Sequence, residues 1–187
     1  IFNPTIQRRM KKSIKGAVIA LLLFTFSPYT KAQVDTTRFT NHGSQLFASM
    51  IQGSVFAKGP NGRALIYTVV RGEPAHLLGY DVETQELLID QALPKADGAW
   101  DLAQSSDGTI YAPGANGSLF AHTPGTQEVK DLGVVLEGEN YLWNLTAGVD
   151  GEVFGATYPG CRVFRYHPKD GFSDVGKGPL VEKENYV

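Results

Sequence analysis

Cysteine is almost absent from this chain: Cys161 stands alone in 187 residues. That excludes an internal disulfide and any paired Cys-x-x-Cys metal or redox site. Cys161 lies far from the N-terminal leader and has no activating histidine beside it. It is read as a buried or loop thiol rather than a lipid anchor or a nucleophile. Other signatures are missing too. The sequence holds no Gly-x-Ser-x-Gly elbow, no His-Glu-x-x-His helix, no EF-hand-type calcium loop and no phosphate-binding glycine loop.

Long apolar runs are equally scarce. The one of note, Ala17 to Phe26, follows Lys11, Lys12 and Lys15 and precedes Thr30-Lys31-Ala32. A cationic start, a short apolar core and small residues at minus three and minus one describe a secretory signal peptide cleaved before Gln33. The core is short of the ~20 apolar residues that a membrane span needs. The expected location is secreted or periplasmic, with no stable span after cleavage. Residues 1–9 precede Met10 and read as translated upstream sequence.

Basic charge leaves with the leader. Residues 1–32 hold six of the 17 cations and none of the 19 acids, so the remainder carries 11 against 19, a net of −8. No basic stripe with interleaved aromatics survives, which argues against a nucleic-acid partner. Helical periodicity is missing as well, apart from a short stretch at Ser44–Ile51.

What is present is a repeat. "AWDLAQSSDGTIYAPGANGSLFAHTP", from Ala99, recurs as "LWNLTAGVDGEVFGATYPGCRVFRYHP", from Leu142. Trp100 and Trp143 are 43 residues apart, as are the turns Asp107-Gly108 and Asp150-Gly151, and Tyr111 and Phe154. Phe120 and Phe164 are 44 apart, and Glu139-Asn140-Tyr141 returns as Glu184-Asn185-Tyr186 after 45. Short alternating runs at this period describe the four-stranded blades of an all-β propeller.

Strand-like runs fall at 64–70, 76–82 and 86–90, at 100–104, 109–112, 118–122 and 128–132, and at 143–147, 152–156, 162–167 and 172–175. The layout is an N-terminal segment at 33–50 and a partial propeller at 51–187, with blades at about 51–98, 99–141 and 142–185. About three and a half blades are expected, truncated at Val187, and a closed ring of seven for the full-length protein. Ile110, Leu119, Val153 and Val163 are expected on one blade face. Tyr111, Phe120, Phe154 and Phe164 are expected on the other.

Strand order gathers the polar and aromatic candidates on one face. The loops between blades and those joining second to third strands share it. It holds Arg71, Glu73 and His76, then Trp100, Asp101 and Asn116, then Asn140, Trp143, Asn144, Tyr158 and Arg162. Indoles stack on pyranose faces, while Asn, Asp and Arg pair with hydroxyls and carboxylates, so this is a candidate sugar-binding or anion-binding rim. His76 is the acid–base candidate because Glu73 and Arg71 lie close in sequence, and Arg71 and Arg162 are the candidates for neutralising a carboxylate. The two tryptophans open equivalent strands and serve equally as packing residues of the repeat. Asp101 and Asn144 serve equally as turn caps. His122 and His167 are offset by one position within the repeat, so no metal pair is assigned, and no cofactor is assigned either.

The stretch "DGEVFGATYPGCRVFRYHPKDGFSDVG", Asp150 to Gly176, resembles a broad set of secreted bacterial propellers: the streptogramin-lyase, gluconolactonase-like and quinoprotein-like groups. The resemblance runs from Ile51 to Val187 and implies the fold rather than one activity, since propeller repeats recur across unrelated chemistries. Tryptophan-docking and WD-type signatures are not matched, and no lactonase metal-ligand set carries over. Two functions stand side by side. One is an exported propeller that binds or processes carbohydrate, as a uronic-acid polysaccharide lyase, a hydrolase or the binding part of one. The other is a non-catalytic sensor or protein-interaction platform. Expected partners are a glycan or small-molecule ligand and the further C-terminal blades.

Overall fold

The computed structural model describes residues 50–185. The leader at 10–32, the residues before it, the stretch 33–49 and Tyr186 lie outside the described residues. Everything below belongs to the unit Phe47–Val187.

Among the described residues, twelve strands form three four-stranded antiparallel meanders. The first sheet holds β1 (Ile51–Lys58), β2 (Ala64–Val70), β3 (Ala75–Asp81) and β4 (Leu87–Leu93). The second holds β5 (Ala103–Gln104), β6 (Ile110–Pro113), β7 (Ser118–His122) and β8 (Val129–Val134). The third holds β9 (Tyr141–Ala147), β10 (Val153–Tyr158), β11 (Val163–His167) and β12 (Gly171–Asp174). First strands meet first strands, β1 with β5 and β5 with β9, as the inner strands of propeller blades do. Eleven of these strands overlap the expected runs. The exception is β1, in which Gly53 and Ser54 interrupt the alternation. Gly53 is there for proximity: a Cβ would come within 2.5 Å of the Asp101 backbone, and the Gly53 N–H donates to the Ala99 carbonyl at 3.0 Å.

The second sheet is apolar on both faces because it is covered on both. Ile110, Ala112 and Phe120 pack with Leu65, Tyr67, Val69, Leu77 and Ile89 of the first sheet. Tyr111 and Leu119 pack with Leu142, Leu145, Val153 and Phe164 of the third. This corrects the facing read from the sequence. Antiparallel register pairs Ala112 with Phe120 and Pro113 with Leu119, which puts Phe120 with Ile110 and Leu119 with Tyr111. In the third sheet Val153 pairs with Tyr166 and Phe154 with Arg165. Val153 and Phe164 therefore face the second sheet, while Phe154 and Val163 share the opposite face. Equivalent positions in a repeat do not fix the face across a hairpin; the pair partner does.

Tight turns close the other end of each blade. Gly108 (φ +90°) and Gly151 (φ +83°) take the left-handed conformation that glycine tolerates. The Asp107 carboxylate accepts from the Thr109 N–H at 3.0 Å and from the Ser105 hydroxyl at 2.5 Å. Two substitutions test the packing. Phe120→Ala is expected to cost about 3–5 kcal/mol by emptying a fully buried site. Gly53→Ala is expected to cost about 1–3 kcal/mol by overpacking against backbone. Both are read as shifts in urea midpoint at unchanged slope.

Candidate functional site

The connections 71–74, 114–117 and 159–162, together with the inter-sheet segments 94–102 and 135–140, emerge at one end of the sheets. Four rings cluster there. Trp100 and Trp143, from successive sheets, have centroids 5.7 Å apart with planes tilted by 33°. Trp143 stacks on Tyr141 at 6.0 Å and 19°. Tyr158 meets both edge-on, at 6.0 Å from Tyr141 and 6.4 Å from Trp143. Offset-stacked and edge-to-face geometry is how aromatic quadrupoles attract. Trp143 sits half-buried at the centre, whereas Trp100 is 39% and Tyr141 37% exposed.

Local structure explains the arrangement. Tyr141 and Tyr158 are register partners at the ends of β9 and β10. Ala156 pairs with Asn144 but Thr157 pairs with Leu142, so Trp143 is the extra residue of a β-bulge. Such bulges re-aim a side chain at a strand end.

Two carboxylates meet Arg162 at the same end. Glu139 is buried, accepts the Gly160 N–H at 2.9 Å, and lies 3.8 Å from the Arg162 guanidinium. A Cβ on Gly160 would sit 2.0 Å from the same carboxylate, so a larger residue there would have to displace the Glu139 side chain. Arg162 also donates from Nε and Nη2 to one Asp174 oxygen, at 3.0 and 2.5 Å. Burial alone would raise the Asp174 carboxyl, but the bonds and charge of Arg162, with the N–H groups of Lys177 and Gly176, outweigh it and hold the group below the usual carboxylate range.

The expected site residues divide into two groups. Trp100, Trp143 and Tyr158 come together, with Asn140 exposed beside them; its N–H donates to the Tyr158 carbonyl at 2.8 Å. The others, Glu73 apart, have structural duties. Asp101 accepts the N–H groups of Leu102 and Leu145, both at 2.9 Å, and so bolts the second sheet to the third. Asn144 accepts the Ala156 N–H at 3.1 Å beside the bulge. Asn116 shapes its own turn, accepting the Ser118 N–H at 3.0 Å. Arg71 pairs with Asp97 at 3.1 Å, while Glu73 is exposed in the same loop.

His76 is engaged with a carboxylate of its own sheet. It lies on β3, with Nδ1 2.5 Å from Asp90 of the outer strand β4, and not with Glu73 or Arg71 as sequence proximity suggests. Cys161 is buried in the 159–162 connection. Among the described residues no group of three or more His, Cys, Asp and Glu is placed to hold a metal ion, and no helix is long and apolar enough to cross a membrane.

Sequence reasoning missed Tyr141, Glu139 and Asp174. The signal for the first two was present in the recurrence of Glu139-Asn140-Tyr141, read only as a mark of the repeat.

No protein-family model and no curated protein matches the chain. Solved structures do. A streptogramin B lyase aligns with a TM-score of 0.57 at 16% identity, over 74% of this chain and 43% of its own. A virginiamycin B lyase from Staphylococcus aureus aligns at 0.52 and 14% identity, over 67% and 44%. A gluconolactonase-like protein aligns at 0.50 and 15%, over 67% and 48%. The chain thus spans less than half the length of these structures, and the likeness establishes the β-propeller fold.

The Arg162–Asp174 pair gives a pH prediction. A carboxyl whose folded pKa is depressed contributes stability above its unfolded value of about 3.9 and loses it as pH falls through the folded value. Asp174→Asn is expected to be less stable than wild type at pH 7. It should also lose less further stability between about pH 4 and pH 2, compared by urea midpoints across that window.

Proposed function

We propose that this is an exported propeller whose aromatic rim binds carbohydrate. The observation that supports it most directly is the four-ring cluster, in which Trp100 and Tyr141 are partly exposed while Trp143 and Tyr158 pack against them. Exposed rings held rigid by their neighbours lose little freedom when a pyranose stacks on them, and that economy favours binding.

The electrostatics narrow the ligand class. Arg162 already faces two carboxylates, Asp174 and Glu139, so little of its charge is left to meet a uronate. With Asp101 close by and both arginine candidates engaged, a neutral sugar suits the rim better than a uronic acid. The same pairs weigh against lyase chemistry among the described residues, because proton abstraction beside a carboxylate needs a free base and an unspent cation. His76, bonded to Asp90 on the outer half of the first sheet, does not supply that base at the rim.

A second reading, a non-catalytic protein-interaction platform, draws on the same exposed tryptophan and tyrosine, which are frequent interface anchors. A glycan array run beside an ultraviolet assay for unsaturated uronate products separates these functions. Binding of neutral glycans without new absorbance is the expected result. Appearance of unsaturated product would overturn the binding-only reading. Trp100→Ala and Tyr141→Ala are each expected to weaken glycan binding at least tenfold, about 1.4 kcal/mol, with an unchanged circular dichroism spectrum. Trp143→Ala, at the centre of the cluster, is expected to lose stability as well as binding.

A further inference from the structure

At the end opposite the aromatic rim, the first and second sheets do not close on each other completely. A cavity of about 260 Å³ lies between them. Leu65, Leu88 and Ile89 line it, with the rings of Tyr67 and His122. Close-packed interiors hold few voids larger than a water molecule, whose share of liquid volume is about 30 Å³. This one is several times that size and opens between the exposed residues Asn61 and Thr126.

Its chemistry is specific. Tyr67 and His122 are 1% and 2% exposed, and their ring centroids are 5.3 Å apart. His122 Nδ1 lies 2.9 Å from the Glu128 carbonyl. A carbonyl only accepts, so Nδ1 carries the proton and donates. Burial disfavours the charged imidazole and holds its pKa below the ordinary value. The neutral ring therefore keeps a lone pair on Nε2 that is suited to accept from a ligand O–H or N–H. The polar groups at the mouth are largely committed. Arg63 pairs with Asp81, Gln127 Nε2 donates to the Leu88 carbonyl at 2.9 Å, and the Thr126 hydroxyl donates to the Thr123 carbonyl at 2.9 Å. What remains is a slot lined by Leu65, Leu88 and Ile89, with the His122 imidazole and the Tyr67 phenol in its wall and no unpaired charge.

We infer that this inter-sheet cavity is a second binding site, separate from the rim, for a small neutral planar molecule bearing one hydrogen-bond donor, of the phenol class. An apolar cavity of about 150 Å³ already holds benzene, so the size suits one ring with a substituent or a compact pair of rings. The aliphatic side chains cover its faces, and His122 receives its hydroxyl.

The experiment is a titration of the full chain with phenol, benzene and benzoate, followed by amide chemical shifts in two-dimensional NMR. Saturable shifts for phenol, confined to residues around His122 and Thr126 and at least fivefold tighter than for benzene, are expected. Thr126→Trp alters only the exposed mouth and is expected to weaken phenol at least fivefold while leaving glycan binding at the rim unchanged. His122→Phe, which keeps a ring and removes the acceptor, is expected to erase the preference for phenol over benzene. If that variant does not fold, Thr126→Trp decides. Absence of saturable phenol shifts, equal affinity for benzene, tighter binding of benzoate, or a phenol titration unaffected by Thr126→Trp would each overturn the assignment.

Discussion

The structure depends on one constraint: a sheet that is apolar on both faces must be covered on both. The second sheet meets it fully, with Phe120 and Ile110 against the first sheet and Leu119 and Tyr111 against the third. Burial of this kind contributes roughly 1.5–3 kcal/mol per large side chain, and it has no direction of its own. Orientation between sheets comes instead from a few polar brackets near the inner strands. Asp101 reaches the Leu145 N–H, Gln104 exchanges hydrogen bonds with the Lys58 main chain, and the Ser106 hydroxyl reaches the Val149 carbonyl. Apolar area holds the sheets together, and these bonds set how they sit.

That division of labour places the two sites. At one end, inner strands and inter-sheet segments converge, and the bulge at Trp143 sets its indole between Tyr141 and Trp100. At the other, the 3₁₀ turn Pro60–Gly62 and the loop 123–128 meet less closely and leave a cavity. Both ends use aromatic rings, in opposite ways. At the rim, partly exposed rings rest on half-buried ones. The cavity is lined instead by the rings of Tyr67 and His122, which are almost fully buried.

Much of this was legible in the residues. The repeat around Trp100 and Trp143 carried the fold, and loop connectivity placed Trp143 and Tyr158 at the same end as Trp100. Strand β1 was hidden because Gly53 and Ser54 break its alternation and because the repeat begins only later, at Ala99. The facing of Leu119 and Phe120 was misassigned because hairpin register is a property of two strands, not of one. The ion pairs were invisible for a similar reason. Asp90, Asp97 and Asp174 lie 14, 26 and 12 residues from His76, Arg71 and Arg162, so cross-strand and loop geometry, rather than proximity in sequence, decides which side chains are already spent. The His122 cavity left no sequence signal, since it is made by an imperfect fit between two sheets.

Trp100 precedes the inner strand of one sheet, and Trp143 lies within the inner strand of the next. Any molecule that rests on both indoles therefore straddles a joint of the propeller. It would act as a rivet across the seam, resisting the hinge-like parting of the two sheets, and occupancy at the rim would be felt as mechanical stiffness between them.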